Sequence, residues 1–159
     1  MSLTLDLLRH GEALPRHPGG DTERLLSTAG ERSLANLGGR LAAEGWRPAR
    51  VFASPYRRAL DSARIVTRAA LGETTPEILP ELVPFTDPDE VLSALTEAGV
   101  REGHVLLVGH LPLLGRLAER LAGDPMDFAP GSLVRISCPG GLEVGTGSVV
   151  SAIQPEHEA

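Results

Sequence analysis

The sequence predicts an α/β fold, a mostly parallel central sheet with helices on both of its faces. Two short apolar runs, residues 3–8 and 105–108, have the composition of strands that are buried on both faces. Between them, apolar residues such as Leu34 and Leu37 recur at the spacing of a helix face. Strands that alternate with helices are typical of a parallel sheet. A length of 159 residues suits one compact domain that spans residues 1–159.

The predicted elements follow one another along the whole chain. Four stretches carry helix signals and are predicted to run from Ser27 or Thr28 to near Gly45, from Ala59 to about Leu71, from Pro88 to Gly99 and from Leu111 to Leu121. Shorter strands are predicted at residues 50–53, 78–79, 132–138 and 148–154. Residues 14–24 are rich in proline, glycine and charge, and are predicted to form a loop.

The composition argues against several classes of protein. Apolar residues make up 42% and charged residues 23%, which is ordinary for a globular domain, and no apolar run is long enough to cross a membrane. The first residues lack the basic segment of a signal peptide, so a cytoplasmic protein is expected. The single cysteine, Cys138, excludes an internal disulfide, and its apolar surroundings favour an inert buried thiol.

The formal net charge of −6 bears on the ligand. No cluster of basic residues resembles a nucleic-acid binding surface, so neither nucleic acid nor a membrane is an expected partner. A negative overall charge mildly repels anions, so a phosphate site must concentrate its cations locally. Each arginine near a predicted strand end is therefore informative.

The first predicted strand ends on the tripeptide Arg9-His10-Gly11. In open α/β sheets, ligands bind at the carboxyl ends of the strands. Gly11 permits a sharp turn or a close approach of a ligand to the backbone. An arginine holds two oxygens of a phosphoryl group in its fork, while an imidazole can attack the phosphorus. The tripeptide thus suits a phosphoryl group, although it is too short to be specific by itself.

Two further strand ends supply the same kinds of side chain. Arg57 and Arg58 follow the second predicted strand, and His110 follows Gly109 at the end of the strand at 105–108. If the three strand ends meet at one edge of the sheet, they form a cationic pocket with one group able to attack. The alternatives are a structural core histidine at His110 and ordinary ion pairs at the arginines.

Five motifs in this order resemble the histidine phosphatase superfamily, also called the phosphoglycerate mutase-like fold. They are Arg9-His10-Gly11, Arg24-Leu25-Leu26-Ser27-x-x-Gly30, Ser54-Pro55-x-x-Arg58-Ala59-x-x-Ser62, Leu79-Pro80-Glu81-Leu82 and Gly109-His110-Leu111-Pro112-Leu113. The resemblance covers nearly the whole chain. The second, fourth and fifth motifs are similar to those of one small branch, the SixA-type phosphohistidine phosphatases. The resemblance implies a metal-independent phosphatase that needs no cofactor.

The resemblance also implies roles for the motif residues. His10 is the residue that is phosphorylated during turnover. Arg9 and Arg58 clamp the phosphate, and His110 is the second histidine of the pocket. The histidines do not have the spacing of metal ligands, so no metal is expected.

Other residues beside the motifs have open alternatives. Glu81 resembles the superfamily position of an acid near the leaving group, and a surface carboxylate is the alternative. Arg57 precedes the matching arginine and is expected on the rim or the surface. Asp6 and Glu12 are candidates to support the pocket residues, and His104 is expected to have a structural or surface role.

The length of one connection bears on the substrate. Only about 25 residues separate Ile78 from His104, and one short predicted helix takes up much of that length. Larger relatives carry insertions that build a lid, so the resemblance implies an open site here. An open site favours a phosphorylated protein in signal transduction, with phosphohistidine as the expected substrate. The alternatives are a phosphomonoesterase for a small phosphate ester and a non-catalytic phosphate-recognition module; the protein partner and the oligomeric state stay open.

Overall fold

Six strands form the central sheet of the computed structural model, which describes residues 2–155. They are β1 (Leu3–Arg9), β2 (Arg50–Ala53), β3 (Glu77–Ile78), β4 (Gly103–Gly109), β5 (Leu133–Cys138) and β6 (Ser148–Ile153). Their order is β3-β2-β4-β1-β5-β6, in which the first four strands are parallel and β5 runs antiparallel to both β1 and β6. The predicted α/β class is confirmed, and the two C-terminal strands make the sheet mixed.

Helices cover both faces of this sheet, as predicted. They are α1 (Thr28–Ala43), α2 (Arg57–Leu71), α3 (Pro88–Glu97) and α4 (Leu113–Ala122). Side chains alternate between the two faces of a strand. Leu3, Leu5 and Leu7 of β1 therefore belong to the core beneath α3 and α4, whereas Leu8 belongs to the core beneath α1 and α2. Each face thus has its own, mainly aliphatic, core.

Local signals place the helix ends close to their predicted positions. Ser27 is the N-cap of α1, and its Oγ accepts a hydrogen bond from Gly30 N at 3.0 Å. Asp87 caps α3 directly before Pro88. The predicted start of the last helix at Leu111 is wrong, because the chain first makes a turn and α4 begins only at Leu113.

The buried carboxylate of Asp6 connects β1 to the two strands that pair with it, β4 and β5. Asp6 is fully buried in β1, where it accepts hydrogen bonds from Trp46 Nε1 at 2.7 Å and from Arg135 Nε at 2.8 Å and contacts His104 Nε2. Burial raises the pKa of Asp6, but the hydrogen bonds from His104, Arg135 and Trp46 outweigh it and hold the pKa below its ordinary value. These contacts give Asp6 and His104 a structural role away from the strand ends.

Two further predictions concern Cys138 and the extent of the domain. Cys138 is fully buried, as predicted, and burial raises the pKa of its thiol. No helix within the described part of the chain has the length and hydropathy to span a membrane. Residue 1 and residues 156–159 lie outside the described residues, and one domain over 1–159 stays a prediction.

Candidate active site

His10 and His110 lie side by side where β1 and β4 end. The two strands pair in parallel with Arg9 opposite Gly109, so a histidine follows each strand at the same level. His10 N donates to Gly109 O at 3.0 Å, and the centroids of the two imidazole rings are 5.1 Å apart. Both side chains are buried. The register of β1 and β4 therefore places the two imidazoles side by side at the carboxyl ends of these strands.

Arg58 reaches the same place from the first turn of α2. β2 ends beside β4, with Ala53 opposite Val108, and the chain then turns into the helix. Arg58 is only 4% exposed, and its Nε lies 3.3 Å from His10 Nε2. The amino terminus of a helix carries partial positive charge, which adds to that of the guanidinium. All three predicted strand ends therefore meet at one edge of the sheet.

A pocket of about 300 Å³ opens around these side chains. Its cationic and imidazole lining consists of Arg9, His10, Arg24, Arg58 and His110. Glu12 also lines the pocket and accepts a hydrogen bond from Ser27 Oγ at 2.9 Å. Arg24 was not predicted as a site residue, because it lies in a segment that reads as a surface loop. A β-bridge between Ala13 and Leu26 folds that segment back against the pocket.

The backbone after His10 selects one tautomer of its ring. Nδ1 lies 2.8 Å from Gly11 O, and because a carbonyl oxygen only accepts, Nδ1 carries the proton. Nε2 then has the lone pair, and Arg58 Nε donates to it. Burial, together with the charges of Arg58 and Arg9, lowers the pKa of His10 to about 4. His10 is therefore neutral at pH 7, as a nucleophile must be.

Ser54 and Tyr56 hold the second imidazole. His110 Nε2 is 2.8 Å from Ser54 Oγ, and Tyr56 packs edge-on against the ring at 4.8 Å between centroids. Ser54 Oγ accepts a hydrogen bond from Tyr56 N at 3.2 Å and keeps its own proton, which it can donate to His110 Nε2. The other nitrogen, Nδ1, is buried without a hydrogen-bond partner among residues 2–155. Burial, and then the charges of His10 and Arg58, lower the pKa of His110 to about 3.

The arginines are fixed before any ligand arrives. Arg9 Nη1 donates to Phe128 O at 2.8 Å, while its Nε is buried without a partner in the described part of the chain. Arg58 donates to Asp21 O at 2.7 Å and to Asp21 Oδ2 at 3.3 Å. Arg24 Nη1 donates to Asp21 Oδ1 at 3.1 Å, so one carboxylate links two of the arginines. Preorganised donors of this kind stabilise the charge of a transferring phosphoryl group.

Sequence reasoning did not single out Asp21, Arg24 or Ser54 as site residues. Arg24 and Ser54 stand inside motifs that resemble the superfamily, and this was the signal that could have found them. Asp21 has no such signal, because its role depends on a short 3₁₀ turn, Asp21–Glu23, that brings it to Arg58.

Glu81 lies outside the pocket lining. It occupies the loop between β3 and α3 and lines a neighbouring groove of about 400 Å³, together with acidic residues that include Asp87 and Glu90. Glu81 Oε2 is buried and has no hydrogen-bond partner among the described residues. Its role as an acid stays a prediction. Arg57 is exposed and pairs with Asp61 at 3.0 Å, in agreement with its expected surface position.

The described residues do not form a metal centre. Within residues 2–155, no group of three or more histidine, cysteine, aspartate or glutamate side chains is placed to hold a metal ion. Positive charge around the two imidazoles comes from arginine side chains instead.

Residues 5–83 match the sequence profile of the histidine phosphatase superfamily (branch 1). The phosphohistidine phosphatase SixA of Escherichia coli (strain K12) is 36% identical to this chain over 121 residues, which are 72% of this chain and 71% of that protein. This chain belongs to the histidine phosphatase superfamily. The predicted superfamily is therefore confirmed, and so is its SixA-type branch.

Solved structures agree with the architecture. The structure of the protein histidine phosphatase SixA complexed with tungstate has a TM-score of 0.84 at 27% identity, over 96% of this chain and 97% of that one. A second SixA structure, from Agrobacterium tumefaciens, has a TM-score of 0.77 at 21% identity over 96% and 97%, and shows the fold alone. The predicted phosphoglycerate mutase-like fold is confirmed, and the chain is a phosphatase of this superfamily.

The two buried histidines make the stability of the fold depend on pH. Their pKa values of about 4 and about 3 lie below the ordinary value near 6.5. The unfolded chain therefore binds more protons in this range, so the free energy of unfolding is highest above about pH 6.5 and falls as the pH drops. We expect His10 alone to lower it by about 3 kcal/mol between pH 7 and pH 4.

Urea unfolding in phosphate-free buffer, followed by the fluorescence of the single tryptophan, measures this dependence. The control is the double variant His10→Gln, His110→Gln, which keeps the carboxylates and the other three of the five histidines. Parallel pH profiles for the two proteins would show that the histidines are not buried in neutral form.

Arg58 and Arg57 provide a matched pair for testing the pocket. Arg58→Ala removes a buried guanidinium beside His10, and we expect it to weaken the binding of inorganic phosphate by roughly 10- to 100-fold, the cost of a lost charged hydrogen bond. Arg57→Ala removes an exposed partner of Asp61 and should change the affinity less than about twofold. Calorimetric titration with phosphate measures both, and the opposite ranking would place the phosphate elsewhere.

Proposed function

We propose that this chain removes the phosphoryl group from phosphohistidine residues of proteins, through a covalent phosphohistidine formed at His10. The observation that carries the proposal is the state of His10: a buried, neutral imidazole whose Nε2 lone pair lies among the guanidinium groups of the pocket. The relationship to the phosphohistidine phosphatase SixA supports the choice of substrate.

The reaction has two balanced steps. In the first, His10 Nε2 attacks phosphorus, the bond between phosphorus and the substrate nitrogen breaks, and the departing imidazole takes a proton from solvent. In the second, a water oxygen attacks phosphorus and the bond to Nε2 breaks, so inorganic phosphate leaves with one water proton while solvent takes the other. Arg9 and Arg58 hold the equatorial oxygens in both steps, and His110 Nδ1–H donates to one of them.

The shape of the site favours a phosphoryl group that is displayed on a protein. The pocket of about 300 Å³ lies at the lower end of the range for small-molecule sites. The connection between β3 and β4 contains one helix, α3, and no inserted domain that could close over the pocket. A phosphorylated side chain can enter such a pocket while the protein that carries it stays outside.

Trapping the intermediate tests the proposal. Histidine-containing domains phosphorylated with phosphoramidate are mixed with the phosphatase in the presence of a chelator and quenched within milliseconds. We expect an acid-labile, alkali-stable phosphate on the peptide that contains His10, and no turnover by His10→Ala. Full turnover by that variant would refute the mechanism. Faster turnover of sugar phosphates or nucleotides would identify a small-molecule phosphatase, and binding without turnover a recognition module.

We also propose Glu81 as the acid for poor leaving groups. Leu82 O lies within 3.4 Å of the position that a Cβ at Gly109 would occupy, so the Glu81 loop packs directly against the strand end that carries His110. An alkoxide leaves poorly without a proton donor, and such help is worth about 10²–10⁴-fold. Imidazole leaves more readily, because the pKa of its conjugate acid is about 6.5.

Glu81→Gln should therefore lower kcat/KM on an alkyl phosphate ester by roughly 100-fold or more, yet leave phosphohistidine turnover within about tenfold of the unmodified protein. Glu90→Gln is the matched control, since Glu90 lines the same groove. Steady-state rates on both substrates decide the question. Equal, large losses on both would mean that Glu81 is needed whatever group leaves.

A further inference from the structure

Phe85 differs from the other large aromatic side chains of this protein. Phe52 and Phe128 are each 2% exposed and Trp46 is 5% exposed, but Phe85 is 82% exposed. An exposed phenylalanine forgoes the stabilisation that burial of its ring contributes. A single exposed apolar side chain is common on protein surfaces, so its surroundings decide whether it has a function.

A turn places Phe85 directly after Pro84, which lines the phosphate pocket. Thr86 N donates to Val83 O at 3.4 Å, which places Pro84 and Phe85 at the centre of the turn. Pro84 lines the phosphate pocket. Phe85 lines a second groove, which is separate from the acidic groove of Glu81. Asp87 then caps α3. Because proline and a capped helix restrain the backbone on both sides, a partner that covers Phe85 has little chain entropy to remove.

The groove that Phe85 lines combines apolar surface with side chains of both charges. Asp87, Glu119 and Arg120 line it beside Arg116, and Arg120 is already paired with Asp89 at 2.8 Å. The groove has a volume of about 790 Å³ and lies between this turn, α4 and the connection from β5 to β6. Val144, on that connection, is 43% exposed. Arg116 of α4 lines the groove, is exposed, and has no ion-pair partner among residues 2–155. We call this surface, formed by Phe85, Arg116 and Val144, the Phe85 groove.

We infer that the Phe85 groove docks the folded protein that carries the phosphohistidine. This inference rests on the proposed function. The phosphate pocket has room for a phosphorylated side chain, so the rest of the substrate protein must lie on its rim. Two segments of the chain join the rim to the groove. Pro84 lines the pocket, and the next residue, Phe85, lines the groove. Leu111 lines the pocket, and the chain then enters α4, which carries Arg116 in the groove.

The chemistry of the groove specifies its occupant. An apolar side chain of the substrate protein covers the exposed ring, and a carboxylate pairs with the guanidinium of Arg116. Aromatic and arginine side chains are the ones that most often dominate binding energy at protein interfaces. Free phosphohistidine fills the pocket without reaching this surface, so its turnover does not depend on the groove.

Two substrates with the same reactive bond test the inference. Turnover by Phe85→Ser, Arg116→Gln and the unmodified protein is measured on free phosphohistidine and on the phosphorylated histidine-containing domain that the unmodified protein cleaves fastest. We expect Phe85→Ser to lower kcat/KM on the phosphoprotein by roughly tenfold, mostly through KM, with a smaller loss for Arg116→Gln. Both variants should stay within about twofold on free phosphohistidine.

Val150→Ser is the control, because Val150 is 55% exposed on β6 and lines neither the pocket nor the groove. Equal losses on both substrates, or no loss on the phosphoprotein, would overturn the docking role while leaving the proposed function intact. Dimers of the unmodified protein that Phe85→Ser converts to monomers in sedimentation would overturn it in favour of a second copy. An unmodified protein that cleaves phosphate esters but neither phosphohistidine substrate would refute the proposed function itself, and the docking role with it.

Discussion

The parallel pairing of β1 with β4 is the constraint on which the rest of the structure depends. It sets Arg9 opposite Gly109 and delivers a histidine from each strand to the same point. A shift of one residue would turn every side chain of β1 to the opposite face. Leucines would then leave one core, and Asp6 would enter it without its hydrogen-bonding partners. Burial along the strands therefore determines the chemistry at their ends.

The pocket gathers positive charge in a chain whose formal net charge is −6. Guanidinium groups held close together repel one another, and charged imidazoles among them would add to that repulsion. Both histidines are neutral instead, and the Asp21 carboxylate lies between Arg24 and Arg58. A phosphoryl group brings the negative charge that this arrangement favours. The same burial that lowers the histidine pKa values thus leaves neutral imidazoles among guanidinium groups, which is the arrangement that the proposed mechanism requires.

A short loop between β3 and α3 shapes three surfaces at once. Glu81 lines an acidic groove, Pro84 lines the phosphate pocket and Phe85 lines the wider groove beside α4. These residues are close in the sequence, so a small change in this loop alters the acidic groove, the pocket wall and the wider groove together. In a fold without an inserted lid, a loop of this kind is where substrate preference can be set.

The sequence by itself determined the fold class, most element boundaries and four of the residues that line the pocket, Arg9, His10, Arg58 and His110. The signals for these are local: apolar runs end on Arg9-His10 and Gly109-His110, Ser27 caps a helix, and parallel strands must carry their ends to one edge. Its prediction that the last helix begins at Leu111 was wrong, because residues 111–112 form a turn and α4 begins at Leu113.

Only the tertiary structure decided which distant residues pair with one another. Asp6 contacts Arg135, 129 residues away, and Arg58 contacts Asp21, and no local pattern links either pair. The tertiary structure also separated Glu81 from the pocket lining and left Phe85 exposed beside it. The physical reason is that periodicity and capping act over a few residues, whereas these positions depend on how strands pair and loops pack across the whole sheet.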